Sequence, residues 1–433
     1  MLNENRVEPL PHAPTRTFSK MKQTSINQLP TSLLDHFRQE IERCVKCGSC
    51  RAVCPSFLNE QGESYSARGR MALIKAVLER KLAVSEIYKD RLGTCTGCLA
   101  CEASCPSGVP VAEIIQAAKE QAVRESGVSI INRIVSGVLK HPAALRATAW
   151  LAPLVLHYTR GCDASGGEGQ GGNTASRVQS TKETAVGTNA LRTKGRIVLF
   201  PGCAVEYFQQ EIGKATKNVL NSLGYEVITP KGLKCCGRPL LSLGDRAAAA
   251  EHAAYNAAVL SSVKADAIVT ACASCGLTFK KDYPTLLRQD GNSPIIFDIH
   301  EFLSTRLDDI RIEPFVGNVT IHDPCHLSRG QGLSKVLRNL LRSIPQLTIR
   351  EMKNADRCCG FGGVMRVTHQ KLSDGIAEEK ARAIIATQAA TVVTGCPGCR
   401  MQIANALIQA GSNVEVVHTV QVLEKVLPIA KCE

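Results

Sequence analysis

Two sets of five cysteines recur in the same order and with nearly the same spacing, and their thiols carry the chemistry this chain can do. Cys203 is followed after 31 residues by the adjacent pair Cys235-Cys236, then after 35 more by Cys272-Ala-Ser-Cys275. Cys325 is followed after 32 residues by Cys358-Cys359, then after 36 by Cys396-Pro-Gly-Cys399. Glycine follows each pair (Gly237, Gly360), so the backbone there can turn tightly and approach a bound group. Neighbouring Cα atoms sit about 3.8 Å apart, below the usual disulfide span, so a vicinal bridge would be strained. Disulfide scaffolds suit small secreted domains, whereas 433 residues bury a core without staples. Zinc takes four ligands and rarely adjacent ones. Many thiolates converging on one point fit iron and sulfide better. Iron–sulfur is the reading for both sets; spacing alone leaves a redox dithiol or zinc as alternatives.

A second cysteine pattern lies upstream. Cys44-Val-Lys-Cys47-Gly-Ser-Cys50-Arg-Ala-Val-Cys54-Pro55 is followed about forty residues later by Cys95-Thr-Gly-Cys98-Leu-Ala-Cys101-Glu-Ala-Ser-Cys105-Pro106. Both match the bacterial ferredoxin run C-x2-C-x2-C-x3-C-P, in which the fourth cysteine serves the other cluster. The expected ligand sets are Cys44, Cys47, Cys50 and Cys105 for one [4Fe–4S] cluster, and Cys95, Cys98, Cys101 and Cys54 for the other. Eight cysteines and two prolines must coincide for this to be chance or a zinc site.

These residues need elements to hold them. Thr31 to Arg43 reads as a short helix leading into the first run. Arg68 to Leu82 is apolar at helical spacing (Met71, Ile74, Val77, Leu78), and Val111 to Arg124 is helical after the second run. Helices in place of short strands predict an α-helical ferredoxin domain. Arg68 and Arg70 are placed to offset cluster charge or touch a partner; a solvated helix start is the competing reading. Residues 128–158 read as apolar helix interrupted at Pro142 and Pro153, a buried connector or a docking surface. Gly, Ser, Thr and Asn then dominate to about Lys194, the composition of a flexible linker.

From Arg196 strands alternate with helices. Strands are expected at Ile197–Phe200, Glu226–Thr229, Ala267–Thr270 and Pro294–Phe297, then again at Val319–His322, Leu347–Glu351, Thr391–Thr394 and Val414–Val417. Matching cysteines are offset by 122 to 124 residues, so this is one duplicated domain. Alternation of this kind predicts parallel sheets flanked by helices, with ligands beyond the carboxyl ends of the strands. Cys203, Cys272, Cys325 and Cys396 all fall at such ends. The fold class is therefore α plus α/β, an α-helical ferredoxin domain followed by two α/β parallel-sheet domains. The expected divisions are a disordered tail (1–30), the ferredoxin domain (31–125), a helical connector (126–160), a Gly/Ser-rich linker (161–195), and cysteine-rich domains at 196–310 and 311–430.

Composition narrows the function. Twenty cysteines without a secretory leader imply a reducing compartment where thiols serve metals or redox chemistry. No run of 18 uncharged apolar residues is present to span a membrane. The +13 formal charge is scattered, and each thiolate-held cluster would offset about −2 of it, so nucleic acid is not an expected partner. Peripheral contact with an anionic membrane surface stays open. No Gly-x-Gly-x-x-Gly follows a strand and no Walker sequence is present, so flavin and nicotinamide sites are expected on another chain. His322 and His326 flank Cys325, positioned to tune or protonate a bound group; a hydrogen-bonded structural role is the competing reading. Cys162 and Cys432 match no motif and read as free thiols.

The five-cysteine pattern resembles the CCG domain of heterodisulfide reductase catalytic subunits, in which each set holds a non-cubane [4Fe–4S] cluster. Two ferredoxin runs followed by two CCG domains, with Ser-Ala-Arg-Gly-Arg70 between the runs, is similar to the iron–sulfur subunit of glycolate oxidase. It also resembles lactate and anaerobic glycerol-3-phosphate dehydrogenase subunits. The resemblance spans about residues 35–425. It implies an electron-transfer subunit of a 2-hydroxy-acid dehydrogenase complex, most simply glycolate to glyoxylate, with FAD-containing partner subunits and a quinone or other acceptor. It further implies two [4Fe–4S] clusters, one or two non-cubane clusters at the CCG cysteines, and a cytoplasmic location, with the inner face of the cell membrane as the surface for any peripheral contact. Glycolate oxidase subunits often carry a degenerate CCG set. This chain keeps all ten cysteines, so disulfide cleavage at the CCG sites is the alternative.

Overall fold

Runs of valine, isoleucine and leucine that end at cysteine-bearing loops form eight short strands among the described residues, all in parallel pairs, as β-branched residues buried on both faces favour. The computed structural model describes residues 33–155, 194–287, 294–306 and 311–427. The tail 1–30, Cys162, Cys432 and the Gly/Ser-rich segment before residue 194 lie outside the described residues.

The first cysteine-rich unit holds β1 (Gly195–Leu199), β2 (Tyr225–Ile228), β3 (Ala267–Thr270) and β4 (Ile296–Asp298), in the order β2-β1-β3-β4. The second holds β5 (Gly317–His322), β6 (Leu347–Ile349), β7 (Thr391–Thr394) and β8 (Glu415–His418), in the order β6-β5-β7-β8. Val198 pairs with Ile228 on one side and Ile268 on the other, and Thr320 pairs with Val392. Parallel pairing needs long crossovers, which the helices between strands supply. The expected fold class is the one observed; the strands Ala267–Thr270 and Thr391–Thr394 keep their expected limits, and the other six differ by one or two residues.

The two sheets share one apolar core. Ile212, Val219 and Leu220 of helix Gln210–Ser222 lie in the same buried cluster as Val420 and Leu423 of helix Thr419–Val426. Reciprocally, helix Ser334–Arg342 packs on helix Ile299–Leu303. The helix after each unit's first strand thus meets the helix after the other unit's last strand, as an approximate two-fold arrangement requires. That arrangement turns the cysteine-bearing ends of both sheets toward each other.

The N-terminal domain has no strand among the described residues. Helices Ala67–Leu78, Glu86–Gly93 and Val111–Ser126 enclose a core of Leu34, Met71, Ile74, Leu92, Ile114 and Ile115. Ser66 and Ser85 cap the first two by accepting from the amides of Gly69 and Tyr88. The first helix stops at Leu78, short of Leu82, because the chain turns at Arg80 with φ +57°.

The connector forms helices Ile130–Lys140 and Pro142–Val155. Pro142 breaks the pair as expected. Pro153 does not, and the helix runs through it to Val155. The first of these helices is not a buried connector. Ser136 is buried and donates to Asp245 (2.7 Å), while Ile130, Ile131 and Ile134 are 76%, 59% and 63% exposed.

Candidate metal centres

The short helices Ser49–Ala52 and Ala100–Ala103 interrupt the two ferredoxin-type runs and pack against each other. A surface pocket is lined by Cys44, Cys47, Cys50 and Cys105 together with Lys46, Arg68 and Met71. Three cysteines of the first run therefore meet the fourth of the second. Cys47 is exposed, and Val45 beside it is 69% exposed, so this set opens to the surface. Cys54, buried, lies instead beside Cys95 and Cys98, and Cys101 lies with them. Burial pushes the thiols of Cys54 and Cys101 up, and the neighbouring cysteines add to the shift.

Arg70 is fully buried against this second set. Its guanidinium donates to Thr94 Oγ1 (2.6 Å), to the Arg91 carbonyl (2.8 Å) and to Cys54 Sγ (3.7 Å). Arg70 is thus no part of a solvated helix start. Arg68 is partly exposed and pairs with Glu63 at 2.8 Å.

In each cysteine-rich unit the adjacent pair is held by a left-handed glycine, Gly237 at φ +94° and Gly360 at φ +89°. A Cβ on Gly360 would lie 2.5 Å from the Ser373 carbonyl oxygen; one on Gly237 would meet Ala249 at 3.4 Å. Cys203 and Cys325 are partly exposed and the other eight thiols are buried. Cys203 and Cys235 are 3.4 Å apart through sulfur. Hydrogen bonds continue from Cys235 to Cys236, Cys236 to Cys275, and Cys275 to Cys272. The second unit repeats this with Cys325, Cys358, Cys359, Cys399 and Cys396. Cys358-Cys359 also has Lys380 nearby, whose ammonium donates to the carbonyls of Asn354 (2.7 Å) and Ala355 (3.3 Å); burial lowers it to about 8.

The sites are joined. Cys272 of the first unit hydrogen-bonds Cys396 of the second, and Cys98 of the ferredoxin-type run hydrogen-bonds Cys358. An unbroken line of sulfur contacts thus runs from Cys98 through Cys358, Cys359, Cys399, Cys396, Cys272, Cys275 and Cys236 to Cys235 and Cys203. His326 braces the junction. Its Nε2 lies 3.2 Å from the Gly97 carbonyl oxygen and its Nδ1 2.9 Å from Ser274 Oγ, which is 3.9 Å from Cys396 Sγ. Burial lowers this imidazole to about 4, so it is a neutral tie between three segments. Arg329 adds a bond to the Cys98 carbonyl at 2.9 Å.

The donor set fits thiolate-ligated iron. Cys359 is held well below the ordinary thiol range by hydrogen bonds from Cys358 and Cys399, while Cys399 is pushed well above it by giving its proton to Cys359. Thiols this close cannot all ionise beside one another, whereas cationic iron among them removes the conflict. No disulfide joins any of the described cysteines. Lys380, the burial of Arg70 and the inter-site contacts were not anticipated from sequence. Arg70 alone left a signal, since it occupies the apolar stripe of Ala67, Met71, Ile74 and Val77.

Residues 40–109 match the 4Fe-4S dicluster domain family, and residues 197–280 and 319–404 each match the cysteine-rich domain family. Over 394 residues the chain is 30% identical to a fumarate reductase (CoM/CoB) subunit of Methanothermobacter marburgensis, covering 89% of this chain and 72% of that one. It is 28% identical over 430 residues to a probable glycolate oxidase iron-sulfur subunit of Bacillus subtilis, covering 89% and 93%. Lactate utilization protein A of Bacillus cereus is 30% identical over 237 residues, covering 53% of this chain and 98% of that one.

Proposed function

We propose that this chain, which belongs to the family of iron–sulfur subunits combining a 4Fe-4S dicluster domain with two cysteine-rich domains, carries electrons from a flavin-containing 2-hydroxy-acid dehydrogenase to a quinone or other acceptor. Glycolate is the substrate we assign to the complex, on the likeness to the glycolate oxidase subunit. Cys44, Cys47, Cys50 and Cys105 would hold one [4Fe–4S] cluster, and Cys54, Cys95, Cys98 and Cys101 the second. The two CCG sets would each hold a further cluster, Cys203, Cys235, Cys236, Cys272 and Cys275 in the first and Cys325, Cys358, Cys359, Cys396 and Cys399 in the second. When bound, such clusters supply reversible one-electron storage at potentials set by charge, burial and hydrogen bonds to sulfur.

The observation that carries the reading is the line of sulfur contacts. Cys98 and Cys358 put the second ferredoxin-type set against the second CCG set, and Cys396 and Cys272 put that set against the first. The exposed rim at Cys47, Lys46 and Arg68 offers a surface for the dehydrogenase subunit. At the other end Cys203 is partly exposed beside residues 204–208, on which helix Pro142–Val155 packs. The neighbouring isoleucines 130, 131 and 134 supply an apolar face for an acceptor protein or for the inner face of the cell membrane. No helix among the described residues is long and apolar enough to cross a membrane.

The test is anaerobic purification of the tagged chain with its partners, with iron, sulfide and flavin quantified and glycolate-dependent dye reduction assayed. Co-purifying flavoprotein with glycolate activity that is lost in Cys98→Ser supports the relay. A second reading, disulfide cleavage at the CCG sites, draws on the retention of all ten cysteines and on the partly exposed Cys203. Disulfide reduction by the isolated iron-loaded chain, without flavin, would establish it and displace the first.

A further inference from the structure

The two CCG sets match in cysteines and differ in what stands at the end of the first strand. In the first unit the residue three places before Cys203 is Phe200, fully buried and packed edge-on against Phe279 with centroids 4.8 Å apart. In the second the residue three places before Cys325 is His322, 1% exposed at the end of β5. A ring nitrogen of His322 and the sulfurs of Cys359 and Cys399 all lie within 4.8 Å of one another. The imidazole hydrogen-bonds the Ala355 carbonyl, which also receives Lys380 Nζ at 3.3 Å. Nδ1 is the ring nitrogen left without a partner, in a dry, thiol-lined space.

A buried nitrogen lone pair without a partner is costly, and a native structure needs a reason to keep one. Backbone-carbonyl anchoring of one ring nitrogen is the arrangement by which metal-bound histidines fix the tautomer that ligates. Two donors on one tetrahedral metal, with bonds of about 2.0–2.3 Å, stand roughly 3.5–3.8 Å apart, so a spacing within 4.8 Å closes with small side-chain shifts. Imidazole is a fitting donor for iron.

We infer that His322 Nδ1 is a sixth donor to the iron of the second CCG site, beside Cys325, Cys358, Cys359, Cys396 and Cys399, so that this site is mixed thiolate–imidazole while the Phe200-bearing site is thiolate-only. The inference rests on the reading that both CCG sets hold iron. It makes the two sites electronically unequal despite equal cysteine sets, with the imidazole on the site that touches Cys98.

Pulsed EPR nitrogen-coupling spectra of the reduced, anaerobically loaded full chain test it, comparing natural-abundance protein with protein carrying 15N-histidine. A strong directly bonded nitrogen coupling that changes isotope with the label, and disappears in His322→Ala, is expected. Iron at the second CCG set, beyond that of the dicluster domain, with no histidine coupling in the wild type would overturn the inference and leave the relay standing. Absence of any CCG iron would overturn both. The isotope comparison uses wild-type protein, so it decides the question even if the variant fails to load.

Discussion

Cys98, from the second ferredoxin-type run, hydrogen-bonds Cys358, the first member of the adjacent pair in the second cysteine-rich unit, across 260 residues of sequence. The contact fixes an order, with the dicluster domain meeting the second CCG set first and the first CCG set only through Cys396 and Cys272. Serine at position 358 keeps the shape but offers iron a poor ligand. Cys358→Ser is expected to retain the iron and the reducible signals of the dicluster domain while the first CCG site is no longer reduced from that side. Iron counting with EPR before and after reduction checks this.

Arg70 places a buried guanidinium 3.7 Å from Cys54 Sγ and also holds Thr94 and the Arg91 carbonyl. N–H donation and positive charge both favour the reduced, more negative cluster. Arg70→Met should lower the potential of the set that includes Cys54 by up to about 100 mV, since one charge-assisted hydrogen bond contributes about 1.5–3 kcal/mol. Removing the arginine also leaves buried acceptors unpaired, so unfolding should become easier by about 2–4 kcal/mol. Potentiometric titration and denaturant unfolding report the two effects separately.

The glycines after the cysteine pairs are alike in φ and unlike in surroundings. Alanine at either position costs about 1–2 kcal/mol for the left-handed backbone. At Gly360 the added methyl would also stand 2.5 Å from the Ser373 carbonyl oxygen, whereas at Gly237 its nearest neighbour is an ordinary 3.4 Å away. Gly360→Ala is therefore expected to lose stability and second-site iron well beyond Gly237→Ala. Equal losses in the two variants would contradict this account of the loops.

The position of these glycines is readable from the Cys-Cys-Gly triplets, as are the strands, because β-branched runs and the helical period are local signals. The duplication also puts Cys203, Cys272, Cys325 and Cys396 at strand ends by spacing alone. The contacts that join the sites are not readable. Cys272 and Cys396 meet because two domains share a core, and no spacing within either domain encodes that. Arg70 is easily misread because arginine at a helix start is usually solvated, although its place on the stripe with Met71 and Ile74 points inward. His322 is legible as a neighbour of Cys325, but its unpartnered Nδ1 depends on the Ala355 carbonyl, 33 residues away.

Acid should weaken the seam between the dicluster domain and the second cysteine-rich unit. His369 Nε2 lies 3.2 Å from Asp90 Oδ1, and burial lowers the imidazole below its ordinary 6.5 in spite of Asp90. The folded state thus binds fewer protons than the unfolded chain as pH falls through and below that value. The contribution of His369 to stability is fully present above the unfolded pKa and is lost as pH falls through the folded one. His369→Gln keeps a donor for Asp90 without the titration. The stability difference between wild type and His369→Gln should shift against the wild type as pH falls through and below 6.5, as denaturant unfolding would show.

The most direct test of the central claim is EPR of the fully reduced, anaerobically loaded chain, comparing wild type with Cys358→Ser. If the ligand sets touch through Cys98 and Cys358, the dicluster signals in the wild type will be broadened and fast-relaxing through spin coupling to the second CCG site. They will sharpen in the variant. Spectra that are additive in the wild type and unchanged by the substitution would contradict the relay.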